Sequence, residues 1–185
     1  GDEVGRWFLD YHARHGVDLR CGQPFSAVEP HAGGVRLRFP DSSEVGAQVL
    51  LAGVGVTPAT DWLRGSGLAV SDGVICDQCL RASAPGVVAA GDVARWYNPL
   101  FDQEMRVEQW MNAVEQGRHA ALTLLGATDA YAPVPYLWSD QFDARMRFVG
   151  TAQAAHQVHI EYRGEDAMVA LFGRGGVVVG ALCIN

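Results

Sequence analysis

Apolar positions Val4, Trp7, Phe8 and Tyr11 recur at helical spacing over residues 2–15, and Gly16 stands where such a helix would stop. Val17-Asp18-Leu19-Arg20 then reads as the start of a strand. Val35-Arg36-Leu37-Arg38-Phe39 alternates apolar and polar, the pattern of a half-buried strand, and Pro40-Asp41-Ser42-Ser43 signals the turn after it. Gln48 to Val56 is an apolar run broken only by small residues, which predicts a central strand. Pro58 marks a boundary.

A short helix is expected around Asp61-Trp62-Leu63, a small strand at Val74-Ile75 and a buried strand from Gly86 to Ala90. Residues 93–105 read as loop, with Asn98-Pro99 as a turn. From Val107 to Leu125 the positions Val107, Trp110, Met111, Val114, Ala121, Leu124 and Leu125 predict a helix that buries one apolar face, ended by Gly126. Beyond the Pro133 and Pro135 turn, alternation in Phe148-Val149, residues 157–162, residues 168–172 and Val177-Val178-Val179 predicts an antiparallel meander.

Composition narrows the class. The 185 residues are 49% hydrophobic, enough for a core and too apolar for a disordered chain. The net charge of −7 disfavours nucleic-acid binding, which needs a basic footprint. All 14 basic residues are Arg, a bias of composition before it is a sign of chemistry. No apolar run is long enough to span a bilayer, so no membrane partner is expected. Four cysteines are too few for a secreted disulfide scaffold, and a cytoplasmic setting with reduced thiols is expected.

Three stretches carry candidate chemistry. Ala89-Ala90-Gly91-Asp92 ends a run of small residues in a glycine, which permits close backbone approach, and one carboxylate, which can accept hydrogen bonds from sugar or ribityl hydroxyls. The same pattern also fits a turn Asp that caps a helix. Glu108 and Gln109 open the second helix, whose free N–H groups suit a group that gains negative charge. A first-turn Glu that offsets the helix dipole is the plainer alternative. Trp138, with Ser139, Asp140 and Gln141 in a Pro-rich turn, suits stacking near a cofactor or burial at an interface; packing on the preceding helix explains it as well.

Taken in order, these stretches resemble the ferredoxin reductase branch of the FAD-dependent pyridine-nucleotide oxidoreductases, which serve ring-hydroxylating dioxygenases and cytochromes P450. Residues 49–58 resemble the strand closing the family's NAD domain. Residues 80–92 resemble its second FAD motif, residues 108–117 its flavin-contacting helix, and residues 135–143 the opening of its C-terminal domain. The resemblance implies an α/β fold: partial doubly wound FAD- and NAD-binding domains, then a small α+β C-terminal domain with an antiparallel sheet. The divisions expected are 1–57 (end of the NAD(P)-binding domain), 58–127 (end of the FAD-binding domain) and 128–185 (reductase C-terminal interface domain).

Carried over by position, Gly91 and Asp92 would bind the flavin ribityl chain, and the backbone of Gln109 and Trp110 would meet the isoalloxazine ring. Glu108 would lie beside the nicotinamide path, with Trp138 over the flavin edge toward a docked ferredoxin; these two are the candidate catalytic residues. Gly53, Val54 and Gly55 would touch the nicotinamide cofactor. The implied cofactors are FAD and NAD(P)H, the implied partner an iron–sulfur ferredoxin, and a homodimer is a further expectation. The family usually has Thr where this sequence has Ala82, and often an aromatic where it has Leu137.

The family's two Gly-x-Gly-x-x-Gly loops have no counterpart here, since Gly53-Val54-Gly55-Val56-Thr57-Pro58 puts Pro at the third glycine. The chain is therefore expected to be a fragment that holds one wall of the flavin site and is inactive alone. Two alternatives stay open: a non-catalytic binding or dimerisation module, and a flavoprotein like the NADH oxidases or apoptosis-inducing factor. Cys76-Asp77-Gln78-Cys79 matches a redox or zinc half-motif but has no second pair, and no metal site is expected. His156 and His159, three apart in a strand, point to opposite faces.

Overall fold

The computed structural model describes residues 1–153 and 157–185; His156 lies outside them. The chain divides into two compact units, Gly1–Val56 and Thr57–Asn185.

In the first unit, α1 spans Asp2–Arg14, with Asp2 and Glu3 in its first turn and His12 and Arg14 in its last, the charge order that suits a helix dipole. Trp7 and Tyr11, one turn apart, are buried and stacked at 4.9 Å. The Gly16 amide bonds back to the Ala13 carbonyl at φ +78°, as the C-terminal stop requires. β1 (Ala27–His31), β2 (Gly34–Arg38) and β3 (Glu44–Ala47) form an antiparallel sheet in that order. Arg38 bridges Glu29 on β1 and Glu44 on β3 across its exposed face.

Two expectations fail in this unit. Residues 17–20 form no strand. The apolar run from Gln48 to Val56 is irregular and exposed, with Val49 83%, Leu51 94% and Val54 83% accessible. A buried parallel strand needs neighbours on both sides. The sheet described in this unit is antiparallel and does not take up the run.

In the second unit, a 3₁₀ turn at Asp61–Leu63 leads to β4 (Val74–Cys76). This strand pairs parallel with β5 (Ala94–Asn98), which pairs antiparallel with β6 (Gln103–Met105). The β5–β6 hairpin corrects the loop expected over residues 93–105. Its inward positions Ala94, Trp96 and Asn98 are buried, and the Trp96 indole N–H donates to the Tyr131 carbonyl at 3.2 Å. Trp96, Leu63, Val74, Leu80, Phe101, Met105 and Tyr131 make the core here. The expected strand from Gly86 to Ala90 is also absent. Gly86 turns at φ +74°, and the segment keeps only an isolated bridge from Arg81 to Val88.

α2 spans Trp110–Leu124, three residues shorter at its start than expected, and ends at Gly126 with φ +101°. Its burial inverts the expected pattern. Asn112, Gln116, Ala120 and Thr123 are buried, whereas Trp110 is 76% and Leu125 85% accessible.

The C-terminal sheet contains β7 (Tyr136–Gln141), β8 (Ala144–Gly150), β9 (Gln157–Arg163), β10 (Met168–Arg174) and β11 (Val177–Ile184), in the order β7-β8-β11-β10-β9. It is antiparallel throughout but not a simple meander, because β11 enters between β8 and β10. Met168, Ala170, Leu182 and Ile184 fill its buried face. The strands touch closely at Gly150, where a Cβ would stand 2.1 Å from the Val179 carbonyl oxygen. The fold is thus mixed α/β with an antiparallel C-terminal domain, and β4–β5 is the parallel pair among the described residues.

Candidate flavin-binding wall

Gly91–Val93 form a 3₁₀ turn directly ahead of β5. Gly91 is buried at φ +78°, a conformation that favours glycine. Its amide donates to Gln116 Oε1 on α2 at 2.7 Å, and Gln116 is fully buried. A helix side chain therefore fixes the Gly91 turn and leaves Asp92 exposed beside it.

The start of α2 is bare. Gln109 is the N-cap residue in extended conformation, no side chain caps the helix, and its first turn holds no acid. The first intrahelical bond runs from the Ala113 amide to the Gln109 carbonyl, so the amides of Trp110, Met111 and Asn112 have no intrahelical acceptor. Such an end carries partial positive charge and suits an electron-rich acceptor. Glu108 does not occupy the first turn, as the sequence suggested. It lies before the N-cap residue, and its carboxylate is ion-paired with Arg106. That guanidinium also reaches Asp72 Oδ1 at 3.1 Å and the Asp92 carbonyl at 3.3 Å, and both carboxylates push its pKa further up.

The remaining polar contacts lock α2 to its surroundings. Asn112 Nδ2 donates to the Val107 carbonyl and Thr123 Oγ1 to the Cys79 carbonyl. Tyr131 donates to Asn112 Oδ1, and burial, with Glu115 beside it, pushes its hydroxyl pKa up and keeps it a neutral donor.

Trp138 lies on edge strand β7, not in a turn, and is 43% exposed. It stacks on Tyr136, two residues earlier on the same strand face, at 6.0 Å. Tyr136 in turn lines a pocket of about 110 Å³ with Met111, Asn112 and Glu115 of α2. The structure thus brings Gly91, Asp92, Glu108, Gln109 and Trp110 together, while Trp138 stacks on Tyr136, which faces Met111, Asn112 and Glu115 further along α2. Gly53, Val54 and Gly55 lie in the other unit, in irregular chain, with Gly55 at φ +86°.

The residues fit one wall of a flavin site. An uncapped helix of 15 residues, a glycine turn that allows close approach, an exposed carboxylate and the buried, unpartnered Gln109 Oε1 are features compatible with such a ligand. Sequence reasoning missed Arg106, Gln116 and Tyr136. The signal for Gln116 was present: with Asn112 and Thr123 it forms a polar stripe at helical spacing.

The Cys76-Asp77-Gln78-Cys79 motif runs from the end of β4 into a turn. Both thiols are buried, burial pushes the Cys76 thiol up to about 11, and Asp77 Oδ1 accepts from the amides of Cys79 and Arg81. No group of three metal-ligating side chains occurs among the described residues, and no helix there is long and apolar enough to cross a membrane.

The fold is that of the pyridine-nucleotide oxidoreductase family. Residues 1–117 match the family described as pyridine nucleotide-disulphide oxidoreductase and residues 136–185 the reductase C-terminal family, and the chain belongs to the first. It is 34% identical to the ferredoxin–NAD(+) reductase component of the anthranilate 1,2-dioxygenase system from Burkholderia cepacia, over 98% of this chain and 45% of that protein. Among solved structures, the ferredoxin reductase for the CYP199A2 system from Rhodopseudomonas palustris matches with a TM-score of 0.92 at 29% identity, over 100% of this chain and 46% of the other. The covalent putidaredoxin reductase–putidaredoxin complex matches with a TM-score of 0.92 at 25% identity, over 100% and 45%. The chain spans under half the length of these relatives.

Proposed function

We propose that this chain is the C-terminal portion of an NAD(P)H:ferredoxin reductase that passes electrons through FAD to an iron–sulfur ferredoxin serving an oxygenase. The observation that carries this reading is the bare N-terminus of α2 beside the Gly91–Asp92 turn, set in a chain whose relatives are ferredoxin reductases. FAD, when bound, supplies the exchange between hydride and single-electron chemistry. The protein's task is to hold and orient it. Asp92 would accept from ribityl hydroxyls, the backbone of Gln109 and Trp110 would meet the isoalloxazine ring, and Glu108 would border the nicotinamide path. Trp138 would cover the flavin on the ferredoxin side, while Gly53, Val54 and Gly55 would belong to the nicotinamide site. The divisions 1–57, 58–127 and 128–185, and a cytoplasmic setting, are part of this reading.

The chain alone is expected to be inactive and to bind flavin weakly. Titrating it with FAD and following backbone amide resonances tests this. Shifts concentrated at Gly91, Asp92, Gln109 and Trp110, and reduced by Asp92→Ala, support the reading. Shifts that spare these residues overturn it. A second reading, a dimerisation module, is favoured by the exposed apolar face of α2 at Trp110, Val114 and Leu125. Light scattering separates the two, since a stable dimer without flavin contact at α2 supports the module.

A further inference from the structure

Arg106 lies between the end of β6 at Met105 and the start of α2 at Trp110, with its side chain only 15% exposed. Its guanidinium joins three separate segments: Asp72 in the turn before β4, the carbonyl of Asp92, and the Glu108 carboxylate. Its stem also packs on the Asp72–Gly73 turn. A Cβ on Gly73 would stand 3.1 Å from Arg106 Cδ and 2.6 Å from the Val93 carbonyl oxygen. The packing therefore has little slack.

The position of Glu108 gives this clamp a purpose. A carboxylate just ahead of an uncapped helix is drawn to the free N–H groups of the first turn and would close them. Glu108 is held instead by a charge-assisted bond to a forked guanidinium of low exposure, a stronger partner than an exposed helix end.

We propose that Arg106 is a positioning residue for the flavin wall: it fixes the Asp92 turn and holds Glu108 off the start of α2, so that the amides of Trp110, Met111 and Asn112 stay open to the ligand. This rests on the reading of α2 as the flavin-facing helix. It makes the ion pair a means of keeping a helix end uncapped, with Asp72 as its outer anchor.

Amide hydrogen exchange in the 185-residue chain tests the clamp without any cofactor. In Arg106→Gln, the amides at 110–112 should exchange roughly fivefold more slowly, the protection that one capping bond brings. Arg106→Gln combined with Glu108→Gln should restore the original rates, and Arg106→Lys should fall between. Unchanged rates in a folded Arg106→Gln variant overturn the proposal. If that variant does not fold, Glu108→Gln alone decides. The clamp predicts no change at 110–112, whereas faster exchange would mean that Glu108 already caps the helix, and the proposal fails. The FAD titration reports separately. Exchange results as expected, with no flavin shifts at α2, would leave the clamp standing and remove the flavin reading.

Discussion

The two helices are built on opposite terms. α1 buries aromatic rings, Trp7 and Tyr11, and turns its charges outward. α2 buries amides and a hydroxyl, from Asn112, Gln116 and Thr123, and leaves Trp110, Val114 and Leu125 exposed. The first is held by apolar burial, which is strong and insensitive to detail. The second is held by hydrogen bonds between its side chains and the backbone of nearby loops: Gln116 accepts from the Gly91 amide, and Asn112 and Thr123 donate to the carbonyls of Val107 and Cys79. Such bonds contribute less net stability but fix positions closely, because a buried polar group left without a partner is costly. α2 therefore serves as a template for the segments that frame the proposed site.

The contrast can be broken most severely at Tyr11. Tyr11→Ala should destabilise the Gly1–Val56 unit by ~3–5 kcal/mol, the range for truncating a large buried ring, and shift the urea midpoint of that unit's amide resonances. Gln116→Leu keeps the volume but strands the Gly91 amide. A loss of about 1–3 kcal/mol is expected, with faster exchange at Gly91 and little change in α2 helicity by circular dichroism.

The Cys79 loop under α2 offers a pH test. The buried Cys76 thiol has a folded pKa raised from 9.0 to about 11, so the folded state holds its proton more tightly than the unfolded state does. Its contribution is full below pH 9 and is lost as pH rises toward 11, by at most ~1.4 kcal/mol per pH unit. At pH 8, iodoacetamide should alkylate exposed Cys21 and Cys183 well before Cys76 and Cys79, as mass spectrometry would show. The smallest effect belongs to the outer face of α2. Val114→Ser and Leu125→Ser should each change the stability of this chain by less than about 0.5 kcal/mol in urea titrations. A large loss would mean that the face is covered in solution.

The same contrast explains what the sequence made legible. α1, β10 and β11 follow hydrophobic periodicity because their apolar sides are buried within the chain itself. The Gln48–Val56 run has the composition of a buried strand, but composition cannot supply the flanking strands that make one. α2 was placed correctly, yet with the wrong side inward, because Trp110, Val114 and Leu125 outweigh Gln116 on any hydropathy scale. β5 and β6 were missed because polar Asn98 takes a buried, inward position in what reads as an Asn98-Pro99 turn, and β6 is only three residues long; Arg95 pairs with Glu104 across the hairpin. Of the site, Gly91, Asp92 and Gln109 were visible as a motif. Arg106 was not, since its meaning lies in three partners spread over residues 72–108.

The order of strands in the C-terminal sheet has a consequence for how the protein is made. β11, though last of the five in chain order, is the central strand, and β8 and β10 meet only through it. Until β11 has been made, the β7–β8 and β9–β10 hairpins stand with open edges and unpaired backbone groups, the condition in which nascent chains misassociate. Loss of β11 would therefore split the sheet into two hairpins rather than trim one of its borders.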